Sequence, residues 1–183
     1  MKKAYVFIAD GFEEIEGLSV VDVLRRGKIE VSMVSVTGSK KICGSHKIKL
    51  ECDELFEEAD FSDGDMFVLP GGLAGTNALM IHEGLKQLLI KAASEGKYVA
   101  AICAAPSVLG NHGILNGKKA ICYPGFEDKL TGAEVVYGAK VVEDGNIITS
   151  RGMGTALDFS LKLLEILGGT QESMRVGKGI QFF

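Results

Sequence analysis

The stretch Tyr98-Val99-Ala100-Ala101-Ile102-Cys103-Ala104-Ala105-Pro106 decides how this chain is read. Lys97–Ile102 is an apolar run of strand length, and Pro106 suits an early helical position, where its missing N–H costs nothing. Cys103 then falls in a tight strand-to-helix turn of the kind that lifts a nucleophile into solvent. The small neighbours Ala101, Ala104 and Ala105 let such a turn be strained without side-chain clashes. Free N–H groups at the start of the following helix favour a thiolate, so a lowered Cys103 pKa is expected. A plainer reading fits the same residue, because free cysteine is among the most buried residue types and often only packs. Local sequence leaves both open.

Outward from this turn, short β-rich runs alternate with helical patterns. Lys3–Ala9 reads as a first strand. Glu14–Arg26 carries apolar residues at Ile15, Leu18, Val21, Val23 and Leu24 and stops at Gly27, an amphipathic helix. Glu30–Val36 is a second strand, and short strands around Ile42 and Ile48–Leu50 make a hairpin about Gly44-Ser45. Asp65–Leu69 runs into Pro70-Gly71-Gly72, and His82–Ser94 reads as a helix closed by Gly96. After a helix from Pro106 to His112 come Lys119–Cys122 and Val135–Val136. Lys140–Val142 and Asn146–Thr149 are joined by the turn signal Glu143-Asp144-Gly145. Thr155–Leu167 closes as a helix before Gly168-Gly169. Thr170–Phe183 is ambiguous, with Phe182 and Phe183 expected to cover apolar surface. Strands separated by helices of this length imply parallel βαβ units. The expected class is α/β, a doubly wound, mainly parallel sheet with helices on both faces, in one domain over residues 1–183.

Composition bounds the function. Hydrophobic residues make up 46% and charged residues 24% of the 183 positions, ordinary for a globular protein. A net charge of −4 offers no electrostatic reason to expect nucleic acid or an anionic membrane as partner. No apolar run approaches the ~20 residues of a membrane span. The basic-then-apolar start Met1–Ala9 is cut short by Asp10-Gly11-Phe12-Glu13-Glu14, so it reads as a strand, and a cytoplasmic location is expected. Cys43, Cys52, Cys103 and Cys122 have neither zinc-knuckle nor thioredoxin spacing, and a reducing compartment argues against disulfides. His46, His82 and His112 form no sequence cluster with metal-ligand spacing, so neither metal nor cofactor is called for.

In open α/β sheets the reactive crevice lies outside the carboxyl ends of the strands. Three such ends carry suggestive residues: Ala9-Asp10-Gly11 with Glu13, Glu14 and Glu16; Leu69-Pro70-Gly71-Gly72; and Cys103. Gly71-Gly72-Leu73-Ala74-Gly75 matches neither the dinucleotide fingerprint nor a P-loop. Its backbone N–H groups, with that of Ala104, can form an oxyanion hole, or the glycines can mark a plain tight turn. Glu13 and Glu14 are expected to face water at the positive end of the first helix. Glu16, flanked by Ile15 and Gly17, can project toward the crevice. Buried there, it would be pushed to hold its proton and could donate it toward a thiolate.

Taken together, Asp10-Gly11-Phe12-Glu13-Glu14-Ile15-Glu16, Val21-Asp22-Val23-Leu24-Arg25-Arg26, Leu69-Pro70-Gly71-Gly72, Ala100–Pro106 and Thr149-Ser150-Arg151-Gly152-x-Gly154-Thr155 resemble the ThiJ/PfpI superfamily, specifically its DJ-one branch with bacterial relatives. The resemblance runs nearly end to end. It implies a flavodoxin-like fold, usually a homodimer, with Cys103 as reactive cysteine and Glu16 as its partner acid. It further implies that backbone amides of Gly72 and Ala104 surround the thiolate and that Arg26 takes a supporting basic position near the dimer contact. Family activities include cofactor-free glyoxalase and deglycase chemistry, proposed proteolysis, and redox sensing or chaperone action. The chain departs from the pattern at Cys122-Tyr123-Pro124, where many relatives carry histidine before the proline. Tyr123 is a poor general base at neutral pH but can donate a hydrogen bond to a carbonyl or alkoxide. Protease-like members place histidine directly after the cysteine, where this chain has Ala104, and amidotransferases need a Cys–His pair. Peptidase and amidotransferase activity are therefore not expected.

Two functions remain. In one, Cys103 adds to a reactive aldehyde, free or on a glycated protein, and Glu16 shuttles a proton. In the other, Cys103 is a redox sensor oxidised to sulfinate, or part of a chaperone, with no metabolic substrate.

Overall fold

A computed structural model describes residues 2–183. Its elements run β1 (Lys3–Ile8), α1 (Glu14–Arg26), β2 (Glu30–Ser35), β3 (Lys41–Cys43), β4 (Lys49–Glu51), β5 (Glu54–Leu55), β6 (Met66–Leu69), α2 (Leu73–Ile81), α3 (Glu83–Ser94) and β7 (Tyr98–Ile102). They continue as α4 (Pro106–Asn111), β8 (Lys119–Ala120), β9 (Glu134–Val135), β10 (Val141–Asp144), β11 (Ile147–Ser150), α5 (Ala156–Gly168) and α6 (Thr170–Gly179).

Seven strands form the main sheet in the order β10-β11-β7-β6-β1-β2-β5, all parallel except β10, which pairs antiparallel with β11. The expected doubly wound α/β class is therefore what the chain adopts. Strands covered on both faces need apolar side chains on both, and β1 shows this. Ala4, Val6 and Ile8 enter the core beneath α1 and α5. The alternate residues Tyr5, Phe7 and Ala9 enter the core that also holds Leu79, Leu85, Leu89 and Val108 of α2, α3 and α4. After β2 the chain crosses back to pair β6 on the other side of β1, so the sheet reverses direction between β1 and β6. Such a reversal opens a crevice at the carboxyl ends of the strands. The turns after β1, β6 and β7 meet there.

Both expected hairpins form: Ile42 faces Leu50 across β3 and β4, and Val142 faces Thr149 across β10 and β11. The stretch between Gly72 and His82, to which the sequence pattern assigned no element, is helical. It forms α2, which sequence pattern hides because Leu73–Ile81 buries only Gly75, Thr76 and Leu79 and shows no apolar stripe. His82 ends α2 and caps α3, its Nδ1 accepting from the Leu85 N–H at 3.0 Å. The ambiguous C-terminus is helical, with Val176 of α6 buried; Phe182 packs against the core while Phe183 is 66% exposed. Among the described residues no helix is long and apolar enough to cross a membrane.

Candidate functional site

Cys103 follows β7 with φ +68°, in the left-handed region that a non-glycine residue enters only when its surroundings hold it there. Three contacts provide that hold. Its N–H donates to the Ser150 carbonyl at 3.0 Å, its carbonyl accepts from the Tyr123 N–H at 2.8 Å, and the Ala105 N–H closes back on Ile102 at 3.1 Å. The turn expected from sequence is therefore present, with Cys103 at its tip and partly accessible. The helix beyond it starts only at Pro106 and is six residues long, so individual amides rather than a helix end act on the sulfur. The backbone N–H groups of Ala104 and Gly72 lie close enough to the Cys103 sulfur to favour its charged form.

Glu16 lies in the first turn of α1 and is completely buried. Its Oε2 accepts from the Gly71 N–H at 2.9 Å, and a hydrogen bond joins the carboxyl to Cys103. Gly71 is required by this closeness, since a Cβ there would sit 2.6 Å from both Cys103 Cβ and Glu16 Oε2. The other carboxyl oxygen, Oε1, is buried without a hydrogen-bond partner. Burial is the main reason that the Glu16 pKa is pushed up, to about 7. Burial and then the Glu16 charge push the Cys103 thiol up to about 12, against the pull of the Ala104 and Gly72 amides. The lowered thiol pKa expected from sequence is corrected here: two negative charges cannot share this enclosure cheaply. The favoured form carries one charge and one shared proton, as coupled sites do.

The remaining candidates separate. Gly72, at φ +87°, aims its amide at the sulfur, whereas the Gly71 amide is committed to Glu16. Tyr123 is half exposed, strapped to the elbow by its backbone, with its ring beside Gly152. That strap is itself held by the Ile121 N–H donating to the buried Thr149 Oγ1 at 3.0 Å. Arg26 is not brought to the elbow. Ten residues along α1 from Glu16, it stands about 15 Å away, and its Nε donates to Asp22 Oδ2 at 3.0 Å.

Glu14 overturns its expectation. It is not on the water-facing side of α1 but only 2% exposed, gripping the β3–β4 turn. Its Oε1 accepts from the His46 N–H at 2.8 Å and its Oε2 from Ser45 Oγ at 3.1 Å. Gly44 makes room, because any Cβ there would collide with the Glu14 carboxyl. Burial alone would raise its pKa, but the hydrogen bonds from its own N–H, His46 and Ser45 outweigh burial and hold it at about 2. Glu13 and His46 stand close by, with possible ligand atoms of all three residues within 4.8 Å, yet the Glu14 oxygens are already occupied by these donors.

A sequence profile of the DJ-1/PfpI family matches residues 2–166. The chain belongs to the DJ-1/PfpI family. Protein dj-1beta of Drosophila melanogaster is 39% identical over 180 residues, covering 98% of this chain and 96% of that protein. The crystal structure of Drosophila DJ-1beta superposes with a TM-score of 0.95, covering 98% of this chain and 97% of that one. Protein DJ-1 homolog B of Arabidopsis thaliana is 41% identical over 93% of this chain, which spans 39% of that longer protein. A Pyrococcus abyssi protein named as a deglycase is 33% identical over 90% of this chain and 99% of its own length. A structure of Toxoplasma gondii DJ-1, described as oxidized, is 32% identical, with a TM-score of 0.92 over 99% of this chain and 98% of that chain.

Within this DJ-1/PfpI chain, sequence reading placed Cys103, Glu16, Gly72 and Ala104 in one group, and the fold brings those four together. It missed Arg151 as a residue of the crevice. Ser150 pairs with Ile102 across β11 and β7, which puts Arg151 beside Cys103. The only available signal was adjacency of two strands far apart in the chain.

Proposed function

We infer that this chain is a cysteine-dependent enzyme acting on reactive aldehydes, of the glyoxalase or deglycase type. The observation that carries this reading is the buried Glu16 carboxyl, with its pKa pushed up to about 7, hydrogen-bonded to a cysteine held at φ +68°. A carboxyl poised near neutrality can both give and take a proton. The Cys103 sulfur adds to the aldehyde carbon of a 2-oxoaldehyde. The thiol proton passes to the Glu16 carboxylate as the C–S bond forms and the carbonyl π bond breaks, and the carbonyl oxygen takes that proton from Glu16. Glu16 carboxylate then removes the proton from that carbon and returns it to the neighbouring carbon, while the hydroxyl proton passes from the first oxygen to the second. The result is a thioester of a 2-hydroxy acid, which water cleaves to release acid and thiol. With a glycated protein the sulfur takes the place of the amine on the aminocarbinol carbon, the amine leaves with a proton from Glu16, and the same shuttle and hydrolysis follow. The Gly72 and Ala104 amides stabilise the developing oxyanion or sulfur charge. The deglycase name of the Pyrococcus relative supports this reading.

The test is consumption of methylglyoxal by freshly reduced protein beside Cys103→Ser and Glu16→Gln. Turnover lost in both variants is the expected result; turnover retained in Cys103→Ser overturns it. A redox role uses the same elbow, and the oxidized Toxoplasma relative favours keeping it. Peroxide would carry the thiolate to sulfenate and then sulfinate, which the same amides and Glu16 can bind. Intact mass after mild peroxide, with two oxygens added at Cys103 alone, is the outcome that reading requires.

We further infer a homodimer of one-domain chains in a reducing, cytoplasmic setting. A cavity of about 660 Å³ lies away from the elbow among Ile15, Leu18, Arg26, Ile48 and Leu157. Ile15 and Ile48 are half exposed there, forming an apolar patch of the sort that a second copy covers. Sedimentation of wild type against Ile15→Arg tests this, with dimer and monomer as the respective expected masses.

A further inference from the structure

We propose that Arg151 selects substrates whose reactive aldehyde is accompanied by a carboxylate, so that the preferred substrate is an anionic 2-oxoaldehyde. This names the substrate class of the Cys103 site and rests on the reading of Cys103 as its nucleophile.

Four arginines occur in the chain, and three of them are engaged by carboxylates. Arg25 pairs with Asp53 at 2.8 Å, Arg26 with Asp22 at 3.0 Å, and Arg175 with Glu172. Arg151 makes neither an ion pair nor a side-chain hydrogen bond with any described residue, and it is exposed. Its position makes that freedom informative. The Cys103 N–H bonds to the carbonyl of Ser150, the residue before Arg151, so the two Cα atoms stand across one ladder step. Neighbouring strands lie about 4.8 Å apart, well within the reach of an arginine side chain.

Arg151 lines two adjoining depressions, of about 360 and 240 Å³, that share it and Pro124. Tyr123 and Gly152 line the larger one, and Tyr123 is strapped to the Cys103 carbonyl. The unpartnered Glu16 Oε1 is buried just behind this strip, 3.8 Å from where a Cβ on Gly152 would stand. A free guanidinium at the rim and an unmatched carboxyl oxygen at the floor fit the two ends of one small molecule. The floor acts on the carbonyl, while the rim pairs with a carboxylate in a bidentate fork. The carboxylate that borders Arg151, Glu127, has its Oε2 occupied by the Gly125 N–H at 2.7 Å. Lys140, nearby on the chain, is taken by Asp158 at 2.9 Å. In a chain of net charge −4, this cation beside the nucleophile is what lets an anion approach.

Two measurements decide it. In the first, Cys103 is alkylated by iodoacetate and by iodoacetamide, followed by peptide mass, with Cys43 in the same molecule as internal reference. The iodoacetate-to-iodoacetamide rate ratio at Cys103 should fall roughly fivefold in Arg151→Gln, recover in Arg151→Lys, and shrink with added salt. In the second, kcat/KM is compared for 4,5-dioxopentanoate and its methyl ester, which replaces the carboxylate charge by one methyl group. The acid-to-ester ratio should exceed one in wild type and collapse in Arg151→Gln. A ratio at Cys103 that is the same in wild type and Arg151→Gln overturns the assignment of Arg151, whatever the enzyme turns over. Failure of both oxoaldehydes to react, with the alkylation ratio still dependent on Arg151, instead overturns the aldehyde reading and leaves the anion site standing.

Discussion

Glu14 and Glu16 sit two residues apart on one helix, both almost wholly buried, and their pKa values are shifted in opposite directions. Glu14 is held at about 2, ionised throughout the neutral range, while Glu16 is pushed up to about 7. The difference is the number of donors each one meets. Glu14 accepts from backbone and hydroxyl donors of a hairpin turn at both oxygens, whereas Glu16 has one backbone donor, one thiol and an orphaned oxygen. Burial raises both, and hydrogen bonds decide which stays raised. The first glutamate is an anchor and the second a proton carrier.

Exchanging the carboxyls for amides should break that contrast most visibly in rate. Glu16→Gln is expected to lower kcat/KM for methylglyoxal by ~10²-fold or more, the scale of a lost general acid–base. Glu14→Gln should leave the elbow chemistry in place while costing about 2–3 kcal/mol of stability at pH 7, read by thermal melts. Because the folded pKa of Glu14 is depressed, its contribution is present above the ordinary value of 4.5 and fades as pH falls through about 2. The gap between wild type and Glu14→Gln should therefore narrow in acid.

The sign reverses for Glu16. Its raised pKa means the native state holds a proton that the unfolded chain releases. Its stabilising share is thus complete below 4.5 and lost as pH rises through about 7. Glu16→Gln, which mimics the protonated form, should gain roughly 3 kcal/mol relative to wild type between pH 4 and pH 8. A difference that stays flat across that range would show that Glu16 is not held neutral. The smallest expected effect is Tyr123→Phe, which should change kcat/KM within roughly threefold; a larger loss would make the phenol a direct partner of the orphaned oxygen.

Much of this was legible before folding. The apolar strands, the amphipathic α1 and the strand–Cys103–Pro106 turn are local patterns of period and punctuation, and they stand where expected. Helix α2 was not legible, because it buries only Gly75, Thr76 and Leu79 and shows no apolar stripe. Nor was the burial of Glu14, which depends on a hairpin some thirty residues away. The thiol pKa was misjudged for the same reason, since it is ruled by Glu16 from another element rather than by the turn that presents Cys103.

By itself, then, the sequence determined the alternation of strand and helix, the strained cysteine turn and the residues of the family pattern, because these follow from short-range sterics and hydrophobic periodicity. Only the tertiary structure decided which of two neighbouring glutamates keeps its proton and that Arg151 stands beside Cys103 without a partner. Both depend on donors, charges and burial supplied by segments distant in the chain, and those meet only when the sheet is assembled.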